Sequence, residues 1–136
     1  MVQADMNLVA VLIAAIVQMI VGAVWYSPAL FAKQWMALIG KSAEDLKNSS
    51  SSTGYAIASF ASIVTAYILA KFIGFAQAKT AMDGLQIGLW AWIGFTATST
   101  ITTNAFSGNS WKLWVINYGY FLVTFSLMGM ILALWQ

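Results

Sequence analysis

GAVWYSPALFAKQW, residues 22–35, marks the point where a long apolar run ends and an amphipathic one begins. Trp25 and Tyr26 carry a flat apolar body with one polar edge, the side-chain type that favours a membrane–water boundary. Ser27 suits a helix cap, and Pro28 suits the first helical position, where its missing N–H is no loss. One helix is therefore expected to leave a membrane here and another to start along its surface.

On the N-terminal side, 7–25 is close to the ~20 apolar residues that cross a hydrocarbon core. Asp5 and the absence of lysine ahead of this run do not suit a cleaved signal peptide, so it is read as a retained helix. Asn7, Ala14, Gln18, Gly22 and Trp25 recur at steps of three and four, a stripe suited to contact with a neighbouring helix. Gln18, deep in the span, is expected to make an interhelical hydrogen bond. On the C-terminal side, Leu30, Phe31, Trp35, Leu38 and Ile39 share one side of a helical wheel with Lys33 opposite. Residues 28–39 thus read as a helix lying in the interface, with Gly40 as its stop. Ser42 and Asp45 have the spacing of a capping box for a short turn, and the polar run at 48–53 reads as a flexible loop.

Composition agrees with a membrane setting. Of 136 residues, 61% are hydrophobic and 7% charged, far below the ~25% charge that coats a soluble domain. Mean hydropathy is +0.80. There is no cysteine and no histidine, which removes thiol chemistry, disulfides and the commonest metal and haem ligand. A net charge of +2 does not argue for nucleic acid.

Three further spans follow, at 55–72, 81–103 and 111–135, which makes the expected fold an all-α, four-transmembrane-helix bundle in a single membrane domain, 1–136. Ser59, Ser62 and Ala66 form a small-residue stripe on the second span, where Lys71 can extend to headgroups. Thr80 and Asp83 have capping-box spacing at the start of the third, and Asp83 is the carboxylate nearest any later span. Capping is the plainer reading of Asp83, a proton or cation site the sharper one. Gly84 and Gly88 form a GxxxG pair that permits close approach of another helix. The hydroxyl-rich run 95–104 puts Thr96, Ser99 and Thr103 on one face. Such residues can return their hydroxyls to carbonyls one turn back, or line a polar path. Trp90 and Trp92 read as packing or lipid-facing rings, with the border of a ligand site as the sharper alternative. In the last span Asn117, Tyr120 and Thr124 share a face, and Asn117 is expected to pair with Gln18 or with the threonines in a polar seam.

Four crossings place both termini on one side. Lys33, Lys41, Lys47 and Lys112 lie in loops one and three, against Lys71 and Lys79 on the opposite side, so those loops are expected in the cytoplasm and the termini outside. Trp25, Tyr26, Trp35, Tyr55, Trp111 and Trp114 all fall on the loop-one side as an aromatic belt.

WYSPALFAKQW, GKSAEDLK and NAFSGNSWKLWVINYGYFL resemble corresponding stretches of the bacterial "domain of unknown function 1761" membrane proteins, and the resemblance covers nearly the whole chain. It implies a small four-helix protein of the bacterial inner membrane and brings no established activity. It also implies, in many members, a histidine just after the GY pair; here that position is Phe121. No arrangement of nucleophile, base and metal site stands out, so an enzyme is the least expected class and no cofactor is expected. A non-catalytic protein that packs against itself or against a larger membrane complex is the leading expectation. The runner-up is a small oligomeric transporter or channel for an ion, small molecule or lipid-like molecule.

Overall fold

The computed structural model describes residues 6–48 and 51–136, all-α among them. Helix α1 (Leu8–Trp25) is followed by the short α2 (Ala32–Ile39) and α3 (Ala43–Asn48), then by the long α4 (Ser51–Phe75). Next comes α5 (Ala81–Ala91), which passes through a π-helical turn (Trp92–Ala97) into α6 (Thr98–Ser107), and α7 (Trp111–Leu134) closes the chain. Asp5 and residues 49 and 50 lie outside the described residues.

Local chemistry sets the ends. The Asn7 side chain accepts from the Val9 and Ala10 amides and starts α1. Thr80 and Asp83 form a reciprocal capping box at α5, and Ser42 and Asp45 form another at α3. Gly40 (φ 72°) and Gly108 (φ 70°) end α2 and α6 in the left-handed conformation that costs glycine least.

Several boundaries differ from expectation. Ser27 does not cap α2: its hydroxyl donates backwards to the Val24 carbonyl at 2.6 Å and closes the end of α1. Pro28 therefore lies in a turn, and α2 begins at Ala32 rather than at residue 28. In the polar run 48–53, Asn48 ends α3, and Ser51 already begins α4. Small polar residues are tolerated in a first helical turn, whose N–H groups have no intrahelical acceptor to lose, and propagation from the apolar body is cheap.

Among the described residues three helices, not the expected four, are long and apolar enough by themselves to cross a membrane: Leu8–Trp25, Ser52–Phe75 and Trp111–Leu134. The stretch expected as another span, 81–103, is helical and continues to Ser107, but the π turn divides it into shorter pieces.

The helices run alternately along one bundle. The end of α1, the start of α4 and the first half of α7 lie towards one end, where they flank a cleft lined by Tyr26, Tyr55 and Tyr120. At the other end the Gln136 amide donates to the Ala78 carbonyl at 2.6 Å. The path 81–107 leads from that end back to the start of α7. The core is small-residue-rich: Ala10, Ala14 and Ala15 of α1, Ala66 and Ala70 of α4, and Met128, Leu132 and Ala133 of α7 are buried. The tightest seam joins α5 to α7. A Cβ on Gly84 would strike the Gly129 carbonyl, one on Gly88 the Phe125 carbonyl, and one on Gly129 the Gly84 carbonyl. The GxxxG pair is thus used within the chain.

Candidate functional site

Four side-chain hydrogen bonds tie the stretch 18–35 to α7. The Trp25 indole donates to the Ile116 carbonyl at 2.8 Å, and the Tyr120 hydroxyl donates to the Gln18 carbonyl at 2.8 Å. Between them, the Tyr26 hydroxyl and the Trp35 indole both donate to Asn117 Oδ1, each at 3.1 Å. Indole N–H groups are donors only, so a side-chain oxygen with two lone pairs is what this position requires. Each such bond contributes on the order of 1 kcal/mol in an apolar bundle.

Ring contacts fill the space around these bonds. Tyr26 meets Trp35 edge-on at 5.4 Å and Tyr120 at 5.8 Å, and Trp25 leans on Phe31 at 4.8 Å. Gly22 makes room for Tyr120: a Cβ there would sit 3.0 Å from its hydroxyl. Asn117 therefore pairs with the aromatic stretch and not with Gln18 or the threonines, as had been expected. Its helical phase pointed to α1, but the turn at 26–31 brings two stronger geometric matches.

Gln18 is 4% exposed, and among the described residues its Oε1 has no hydrogen-bond partner. Thr124 is fully buried and returns its hydroxyl to the Phe121 carbonyl at 3.2 Å. The hydroxyls of Thr98, Ser99 and Thr100 return to carbonyls four residues back at 2.6–2.7 Å, and that of Thr103 does so at 3.3 Å. Ser99 and Thr103 are exposed and Thr96 is half-buried, so this face does not join the Asn117 cluster. Asp83 is exposed, and its carboxylate accepts from the Thr80 and Lys79 amides. Trp92 donates to the Tyr118 carbonyl at 2.8 Å, a packing role, while Trp90 is exposed. Phe121 lies among Tyr118, Tyr120 and Phe125.

Above the Asn117 cluster, α4 stands away from α1 and α7. It is exposed from Ser52 to Ala58, and its first buried side chain beyond Ser51 is Ser62. The wedge left between the three helices has a volume of about 540 Å³. Its walls combine small residues, Gly22, Ala23 and Ala58, with the phenols of Tyr26, Tyr55 and Tyr120. Burial, aided by Tyr120 and Tyr118, pushes the Tyr26 phenol up to about 12. It acts near neutrality as a hydrogen-bonding group and not as a base. Among the described residues, no three acidic side chains gather in a way that could hold a metal ion.

Sequence reading missed Tyr55 as a wall of this wedge and Gly129 as the partner of Gly84. The second was findable: Ser126, Gly129 and Ala133 recur at steps of three and four, the complement of the Gly84–Gly88 face. The first was not, because it depends on how far α4 leans.

The chain belongs to the family described as "Protein of unknown function (DUF1761)", whose model matches residues 9–133. No curated protein and no solved structure matches it.

Proposed function

We propose that this member of the family is a non-catalytic multi-pass membrane protein that works as an accessory subunit, receiving a partner's transmembrane helix in the wedge between α1, α4 and α7. The wedge carries this reading. Small walls at Gly22, Ala23 and Ala58 permit close helix approach, and the phenol oxygens of Tyr26 and Tyr120, whose protons are donated within the chain, can still accept. In this reading the path 81–107 is a fourth crossing. At 1.5 Å per residue it reaches roughly 40 Å, beyond a hydrocarbon core of about 30 Å. The hydroxyls of Thr98, Ser99, Thr100, Thr102 and Thr103 are bonded to its own backbone, as lipid demands. The GxxxG pair offers nothing to a second copy, since Gly129 already occupies it.

A second reading is favoured by the same phenols: an amphipathic, lipid-like molecule held or passed along the wedge. One experiment separates the two. A photo-cross-linking residue at Ala58 in native membranes is expected to give a discrete protein adduct, absent when the probe replaces the highly exposed Phe106. Adducts with lipid alone would move the assignment to the second reading, and identical adducts at both positions would overturn it.

A further inference from the structure

A separate groove of about 640 Å³ runs between α2 and the start of α7. Its walls are apolar: Phe31 and Leu38 on one side, Val115 and Ile116 on the other. Lys112 and Gln34 are the hydrogen-bonding side chains in its lining apart from the Trp111 indole. Among the described residues, Lys112 has no carboxylate partner. It sits in the first turn of α7, a turn with no acidic residue and no side-chain cap. Positive charge therefore collects at one end of an apolar trough.

We propose that this groove binds an anionic phospholipid, with an acyl chain against Phe31, Leu38 and Ile116 and the phosphate on Lys112. The charge complement selects this occupant. A zwitterionic lipid balances its phosphate with its own ammonium group and so gains less from the lysine, and a free anion would leave the apolar walls empty. The half-exposed Trp111 beside Lys112 is the residue type that settles at headgroup depth, which puts the phosphate at the same level. The inference rests on the membrane reading above but not on the partner helix, because the groove and the wedge lie on different helix pairs.

The test uses the full chain, delipidated in detergent and returned to nanodiscs, with phosphatidylglycerol and phosphatidylcholine carrying brominated acyl chains as quenchers of tryptophan fluorescence. Phosphatidylglycerol is expected to bind roughly fivefold more tightly, the weight of about one lysine at an anionic surface. Lys112→Gln should erase that preference, Lys79→Gln should leave it, and Ala37→Phe, which fills the groove without adding an indole, should weaken both lipids. Circular dichroism confirms that each variant keeps its helices. Equal binding of the two lipids, a preference that survives Lys112→Gln, or displacement by inorganic phosphate would each overturn the proposal. Failure of the wild-type chain to enter nanodiscs would instead overturn the membrane reading beneath it.

Discussion

Gly84 and Gly129 face each other so closely that a methyl group on either would run into the carbonyl of the other. Neither helix can retreat alone: Gly88 is held in the same way against Phe125. In a membrane, packing of this kind would stand in for the hydrophobic drive that is missing between helices surrounded by lipid tails. Gly84→Ala or Gly129→Ala is expected to lower stability by about 1–3 kcal/mol, the range for overpacking a filled interior. Thermal unfolding in detergent followed by circular dichroism reads this directly. Gly94→Ala is the control, since a Cβ there meets nothing within 4 Å. Equal losses at Gly84 and Gly94 would mean that backbone effects, not contact, set the cost.

Asn117 is the acceptor for two donors that arrive from outside its own helix. Asn117→Leu strands the Trp35 indole and the Tyr26 hydroxyl, for an expected loss of about 2 kcal/mol at roughly 1 kcal/mol per bond. Trp35 should then become more mobile, seen as faster amide exchange across α2. Tyr26→Phe removes one bond and should cost about half as much. In a double-mutant cycle the two changes should not add, because Asn117→Leu already removes what Tyr26→Phe removes.

Gln18 offers the opposite case. Its Oε1 is buried without a partner among the described residues, and a stranded acceptor of this kind costs about 1–3 kcal/mol. Gln18→Met keeps the length of the side chain and deletes the acceptor. The expected outcome is stability equal to or about 1 kcal/mol above the wild type. A loss of 2 kcal/mol or more would reveal a partner for the amide.

Lys79 and Lys112 provide a count of crossings. Since the chain has no cysteine, Lys79→Cys and Lys112→Cys each create a single labelling site. With a fourth crossing between them, a membrane-impermeant thiol reagent added to intact cells is expected to label one and spare the other. Equal labelling would place both on one side and remove the crossing at 81–107.

The Asp45 carboxylate accepts from the Ser42 amide, and this bond, together with the Ser42 hydroxyl beside it, holds its carboxyl below the usual carboxylate range. A depressed folded-state value means that the contribution of the box is present above the unfolded pKa and is lost as pH falls through the folded one. Protection of the Ser42 and Asp45 amides, measured by hydrogen exchange, should therefore fall on acidification below that range. In Asp45→Asn the same amides should show no such acid dependence.

Much of this architecture is legible in local chemistry. Asn7, Thr80 with Asp83, Gly40 and Gly108 start or stop helices by bonds made within four residues, so their roles are visible without any neighbour. The hydroxyl run 95–104 is legible for the same reason, since its acceptors lie one turn back. Ser27 misled because two local partners compete for one hydroxyl, and the carbonyl of Val24 wins over the start of α2. The π turn at Trp92–Ala97 left no trace in the apolar pattern: one inserted residue shifts the phase of a helix without changing its composition.

The sequence by itself determined that the chain is all-α, roughly where its long apolar helices lie, and which faces are small enough to be approached closely; it counted one span too many among the helices that are long enough by themselves, because the π turn leaves no mark in composition. Those properties follow from chain length, side-chain volume and hydrogen bonds within a single turn. Only the tertiary structure decided that Gly84 meets Gly129 within one chain, that Asn117 serves Tyr26 and Trp35, and that α4 leans away to leave a wedge. The partners in these contacts lie dozens of residues apart. A stripe of small residues states that something can come near, but which surface does so depends on the path of the whole chain and on the competition of all its faces for one another.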